Sequence, residues 1–177
     1  MPDQATVGAY IITFISNDCR LESGELIQEW VYTVQEDPNS ILPYNISHWE
    51  LELCPEFNIS DLMDGDIQPG GSFEFGPGNN NCVPDGILRV KWDNLTDDEI
   101  QSYFSSGGKF SFIVKGCFDK TEKNVYVKGG NDCFPPSEDP PITITGPSCN
   151  PITTTTVPPP RGIPFKGAFN YKIHDEK

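Results

Sequence analysis

Apolar residues fall on alternate positions in several short runs, and each run is bounded by Gly, Pro, Asn or Ser. Period-2 alternation of this kind marks half-buried β-strands. Seven segments carry it or read as short buried strands: Val7–Ser16, Glu29–Gln35, Ser47–Cys54, Ile87–Trp92, Lys109–Gly116, Asn124–Lys128 and Pro141–Thr145. Trp30, Tyr32 and Val34 share one face, as do Trp49, Leu51 and Leu53, then Leu88, Val90 and Trp92. The opposite faces carry Glu50, Glu52, Arg89, Lys91, Ser111 and Lys115. One wet and one dry face per strand is the antiparallel pattern. The expected fold is all-β, an antiparallel two-sheet sandwich of jelly-roll or Ig-like type. One short helix is expected from Thr96, where Thr96-Asp-Asp-Glu99 fits a capping box and Ser105-Ser-Gly-Gly108 would stop it. The Gly/Asn/Pro-rich stretch from Pro55 to Pro84 reads as a long loop pinned by Cys54 and Cys82, with a small strand at Ser72–Phe75.

After Cys149 the pattern changes. Pro151-Ile-Thr-Thr-Thr-Thr-Val-Pro-Pro-Pro160 is a Thr/Pro tract expected to be extended. Beyond it Phe165, Phe169, Tyr171 and Ile173 share one parity, while Lys166, Lys172 and His174 take the other. This predicts a sandwich over residues 1–149, an extended linker over 150–164 and an amphipathic strand over 165–177, the tail strand. At ~3.1 Å per residue the linker spans about 45 Å, against about 35–40 Å for the width of a compact domain of this size. The strand could therefore reach a neighbouring molecule. The same alternation also suits a strand folded back onto its own domain, or a disordered tail.

Charge sharpens that picture. Lys and Arg number 12 and Asp and Glu 26, for a formal charge of −14. Residues 1–88 hold a single basic side chain, Arg20, against 15 acidic ones, whereas residues 89–177 are balanced. No basic face is available for nucleic acid. No apolar run is long enough to span a membrane; the longest, Ala9–Ile15, is strand-sized. The acidic half either keeps the protein soluble or meets a basic segment, such as Lys166 and Lys172, of another copy. With 17 Pro and 16 Gly, about a fifth of the chain disfavours regular helix.

Six cysteines, Cys19, Cys54, Cys82, Cys117, Cys133 and Cys149, are widely spaced with no C-x-x-C pair. Disulfides in an oxidising environment suit them better than a zinc site. Pairing stays open at this level, including a bridge between subunits through Cys19 or Cys117. The N-terminal Met-Pro-Asp-Gln-Ala-Thr lacks a basic and then apolar leader. The expectation is therefore a leader already removed, or another route to an oxidising surface, such as release from a lysing mother cell onto a spore.

Little points to catalysis. His48 lacks a Ser/His/Asp or H-x-x-H context and takes the wet parity of its strand. Carboxylate pairs such as Glu50/Glu52 are common in any acidic chain, and Asp61-Leu-Met-Asp-Gly-Asp66 lacks the EF-hand order. Asn45, Asn58 and Asn94 lie in N-x-S/T sequons. Lys91 and Lys115 are candidates for an internal isopeptide bond, though both take the outward parity. Neither cofactor nor metal is expected.

Trp30-Val-Tyr-Thr-Val34, Ser47-His-Trp-Glu-Leu-Glu-Leu-Cys54, Gly86-Ile-Leu-Arg-Val-Lys-Trp92, Phe110-Ser-Phe112 and Ile144-Thr-Gly-Pro-Ser-Cys149 follow one another along the chain. This series resembles a β-sandwich domain of bacterial secreted, wall-anchored and spore-associated surface proteins, with an S-H-W-x-L-x-L-C centre and a G-P-x-C end. The resemblance covers about residues 28–149 and implies an extracellular structural or adhesive module without catalytic residues. The tail strand lies outside it. The combined expectation is a structural, non-enzymatic subunit of a cell- or spore-surface fibre. Phe165, Lys166, Phe169, Tyr171, Lys172 and Ile173 of one copy would add a strand to the next, and a surface anchor protein is a further candidate partner. The alternative is a surface-displayed adhesin or glycan-binding module using Phe57, Phe73 and Phe75 of the long loop.

Overall fold

A computed structural model describes residues 1–42, 46–57, 59–67, 72–78, 82–95 and 109–152. Within them lie eleven strands: β1 (Gln4–Val7), β2 (Tyr10–Glu22), β3 (Glu25–Glu36), β4 (Ile46–Glu52), β5 (Leu62–Ile67), β6 (Ser72–Pro77), β7 (Leu88–Asp93), β8 (Phe110–Lys115), β9 (Phe118–Gly129), β10 (Asp132–Phe134) and β11 (Thr143–Pro151). A 3-10 turn, Ile59–Asp61, precedes β5. All strand pairs are antiparallel. One sheet runs β1-β2-β3-β8-β5, the other β10-β9-β4-β7-β6, with β11 paired to β9.

Local chemistry explains the longest hairpin. β2 and β3 pair from Tyr10↔Glu36 to Glu22↔Glu25, joined by Ser23 and Gly24. Both turn residues have positive φ, 50° and 86°, as a two-residue turn matched to strand twist requires.

The sheets pack face to face in a sandwich-like arrangement, through the aromatic faces that the alternation picks out. Trp49 and Trp92 are direct cross-strand partners, and their rings stack at 4.1 Å. Tyr32 of the opposite sheet meets both, at 5.6 and 6.4 Å, while Phe110 meets Trp49 edge-on at 5.6 Å. Trp30, Trp49 and Trp92 are fully buried. Each large apolar side chain so buried contributes roughly 1.5–3 kcal/mol before entropy is charged against it.

Three disulfides fasten this frame: Cys19–Cys117, Cys54–Cys149 and Cys82–Cys133, with sequence separations of 98, 95 and 51. Closing loops that long stabilises the fold by about 4–5 kcal/mol per bridge in the chain-entropy account. Such bridges belong to an oxidising environment of extracellular type. Cys19 and Cys117 bond to each other, which corrects the expectation that either links subunits. Cys54 and Cys82 tie the two ends of the 55–84 stretch to Cys149 and Cys133.

The strand count also departs from the expectation of seven. β1, β5 and β10 were not anticipated, and β9 starts six residues before the expected Asn124. The first half of β9 carries Asp119, Lys120 and Glu122, so it shows no apolar alternation. Its backbone ladder to β11, from Thr143↔Asn124 to Pro151↔Phe118, needs none. The small strand expected at Ser72–Phe75 is present as β6. The helix expected from Thr96 lies outside the described residues, as does the tail from 153 to 177. No helix among the described residues is long and apolar enough to cross a membrane.

Candidate functional site

Two sheet margins differ in how they are finished. Along one, β11 lies against the chain just ahead of β1. The Thr145 N–H donates to the Pro2 carbonyl at 2.9 Å, and its hydroxyl lies 2.9 Å from both the Pro2 carbonyl and Asp3 Oδ1, with one proton to share between them. The Tyr32 hydroxyl then reaches across the core to the Thr145 carbonyl at 3.1 Å. Backbone and side-chain bonds thus close this margin. Along the other, β5 pairs only with β8, and β6 only with β7, among the described residues. No ladder joins β5 to β6 there. Phe73 and Phe75 of β6 are only partly buried against the core edge, with Phe73 5.6 Å from Trp92.

The outer face of the six-stranded sheet corrects the wet-face expectation for its centre. His48, Glu50, Arg89 and Lys91 are 4, 0, 2 and 6% exposed. Antiparallel register sets the charges opposite one another, Glu50 facing Lys91 and Glu52 facing Arg89. Glu50 Oε1 lies 3.0 Å from Arg89 Nε and 3.6 Å from His48 Nε2. Lys91 Nζ donates to Asp93 Oδ2 at 2.5 Å, and Glu74 on β6 approaches both cations, 3.7 Å from Arg89 and 3.8 Å from Lys91. Long side chains standing between neighbours of opposite sign screen one another from water, which is how buried charges persist. The sequence signal was available: two acids on one strand and two bases at matching parity on another. Alternation alone reads polar as exposed and misses it.

Burial pushes the His48 imidazole down to about 4, helped by Lys91, Lys128 and Arg89 and opposed by Asp93. His48 is therefore neutral at pH 7, and its Nε2 has no hydrogen-bond partner among the described residues. Burial would raise Asp93, but the Lys91 ammonium and the Asn94 N–H hold its carboxyl below the ordinary range. The Ser47 hydroxyl lies 3.2 Å from His48 Nδ1, and Asp93 Oδ1 lies 3.5 Å from the same nitrogen.

Other expected features fall as follows. Phe57 is buried against Phe118, ring centroids 4.7 Å apart, so with Phe73 and Phe75 packed at the core edge the 55–84 aromatics are not an exposed platform. Lys115 is paired with Glu25 at 3.3 Å and Lys91 with Asp93. The Asn94 side chain donates to Ser72 at 2.8 Å, while Asn45 and Asn58 lie outside the described residues. Among the described residues one trio has metal-ligand spacing, Cys54, Glu56 and Cys149, and its two sulfurs are joined in a disulfide. Phe165, Lys166, Phe169, Tyr171, Lys172 and Ile173 lie outside the described residues. No family model, curated protein or solved structure matches this chain.

Proposed function

We propose that this protein is a structural subunit of an extracellular or spore-surface fibre, in which residues 165–174 of one copy add a strand to the open margin of the next. The observation that carries the reading is the contrast between margins: one is closed by Thr145, Pro2 and Tyr32, while among the described residues β5 and β6 are neighbours that share no ladder. A strand laid along β6 would take up the backbone groups that no ladder uses among the described residues and cover Phe73 and Phe75 with Phe169 and Tyr171. Lys166 and Lys172 would run past the exposed Glu74 carboxylate. The contact is heterologous, so repetition gives a filament unless rotation closes a ring.

Three internal disulfides support the same reading, since a subunit exposed outside a cell gains from a fold that resists opening. The resemblance to bacterial surface modules points the same way. The alternative, a surface-displayed adhesin or glycan-binding module, would have to use the same partly buried Phe73 and Phe75, since Phe57 is buried. Catalysis forms no part of the reading.

Deleting residues 153–177 leaves β11 and Cys149 in place and should abolish filaments seen by electron microscopy. Phe169→Asp with Tyr171→Asp should do the same in the full chain. Filaments of unchanged length and number in both variants would end the proposal.

A further inference from the structure

Lys123 of β9 has the parity of Val125 and Val127, the two core residues that follow it on the strand. Its stem runs over the backbone of β11, where Gly146 leaves room: a Cβ on Gly146 would lie 2.7 Å from Lys123 Cγ. Nζ ends 2.6 Å from Cys54 Sγ and 3.8 Å from Cys149 Sγ. The ammonium thus sits against one half of the Cys54–Cys149 bridge. Cys54 is buried, whereas Cys149 is partly exposed. The Glu56 carboxylate lies within 4.8 Å of both sulfurs, so the asymmetry between the two comes from Lys123 and from exposure. Among the described residues no cation hydrogen-bonds a sulfur of the other two bridges.

We propose that Cys54–Cys149 is a thiol–disulfide exchange site for a low-molecular-weight thiol, attacked at Cys149, with Cys54 leaving as a thiolate held by Lys123. The incoming thiolate forms a new S–S bond to Cys149 Sγ. The old S–S bond breaks, and its electron pair goes to Cys54 Sγ. One disulfide is consumed and one mixed disulfide forms, so no outside oxidant or reductant is needed. The Cys54 thiolate can then attack Cys149, expel the thiol and restore the bridge. Direction follows from access and from the leaving group: the reachable sulfur is attacked, and a sulfur whose thiolate is paired with a cation leaves faster. Burial lowers the Lys123 ammonium below its usual range, against the pull of Glu52 and Glu56. An anion appearing beside it would reverse that destabilisation. The site holds whether or not the chains polymerise.

The test treats the folded, oxidised full chain with reduced glutathione, quenches with N-ethylmaleimide and maps the adducts by mass spectrometry. Cys54–Cys149 should open before the other two bridges, with glutathione on Cys149 and maleimide on Cys54. Lys123→Met should slow this opening by about threefold, the effect of one unit in thiol pKa at a Brønsted slope near 0.5, and leave the other bridges unchanged, while Lys123→Arg should retain most of the rate. Opening of another bridge first, glutathione on Cys54, or an unchanged rate in Lys123→Met would overturn the assignment. In the unaltered chain, the pH dependence of Cys54 alkylation in the glutathione adduct is a check that needs no folded variant. A thiol titrating below the usual ~8.5 is expected, and an ordinary value would overturn the proposal.

Discussion

On its inner face the six-stranded sheet buries Trp49, Leu51, Val90 and Trp92; on its outer face, one residue along the same two strands, it buries His48, Glu50, Arg89 and Lys91. The backbone and the ladder are shared, so the faces differ in chemistry alone. Inside, stability comes from area removed from water and from ring packing, which tolerate no void but ask for little directionality. Outside, every buried charge depends on a partner of opposite sign at the right register, because desolvation costs about as much as the pair returns. The two faces should therefore fail in different ways when altered.

Trp92→Ala should be the most damaging single change. It removes the ring stacked at 4.1 Å on Trp49 and the contacts at 6.4 Å to Tyr32 and 5.6 Å to Phe73. A loss of about 5 kcal/mol in urea unfolding is expected, the upper end for a large aromatic leaving a void. A double-mutant cycle with Trp49→Ala should yield a coupling of about 1 kcal/mol. A loss under about 1 kcal/mol for Trp92→Ala would mean that the two sheets are not packed through these rings.

Much of the inner face was legible in the sequence. Trp30/Tyr32/Val34, Trp49/Leu51/Leu53 and Leu88/Val90/Trp92 fall on one parity, and burial follows it throughout except at Leu88, which is partly buried. The outer face was not legible by the same rule, because Glu50 and Arg89 read as solvent-facing until the β4–β7 register sets acid against base. Cysteine pairing was equally hidden: Cys54 meets Cys149 only because β4 and β11 both lie along β9, and spacing carries no trace of that. The Lys123–Cys54 contact has the same origin. Strand-edge order is a property of topology, whereas alternation reports one strand at a time.

Glu50→Leu should come next, at about 4 kcal/mol. It leaves the Arg89 guanidinium, 3.0 Å away, buried with only the longer contact to Glu74 at 3.7 Å. Breaking one side of a buried pair costs about 3–5 kcal/mol. The outer face then makes a prediction that the inner cannot: adding Arg89→Leu to Glu50→Leu should recover most of the loss, since apolar side chains of similar volume replace a buried pair at little cost. Two truncations at Trp49 and Trp92 should never recover each other in this way. Failure of the double variant to regain stability in urea would show that the outer face is held by shape rather than by charge.

The smallest effect expected is the dependence of stability on pH. His48 titrates near 6.5 in an unfolded chain and about 4 here. Between those values the unfolded state binds a proton that the native state refuses, so stability rises with pH across the window. Its contribution is whole above about pH 7 and is lost on descending toward 4, by about 2–3 kcal/mol for a shift of this size. The cause is specific to the outer face: burial comes first, then the cations Lys91, Lys128 and Arg89, with Asp93 pulling the other way. Asp93 is itself held below the ordinary carboxylate range, so its loss enters only at lower pH. His48→Gln keeps a polar side chain that does not titrate. It should flatten the urea midpoint between pH 7 and 4, whereas Trp92→Ala should lower the curve at every pH without changing its slope. A His48→Gln protein that still loses the same stability between pH 7 and 4 would place the titrating group elsewhere, and the contrast between the two faces would no longer rest on this histidine.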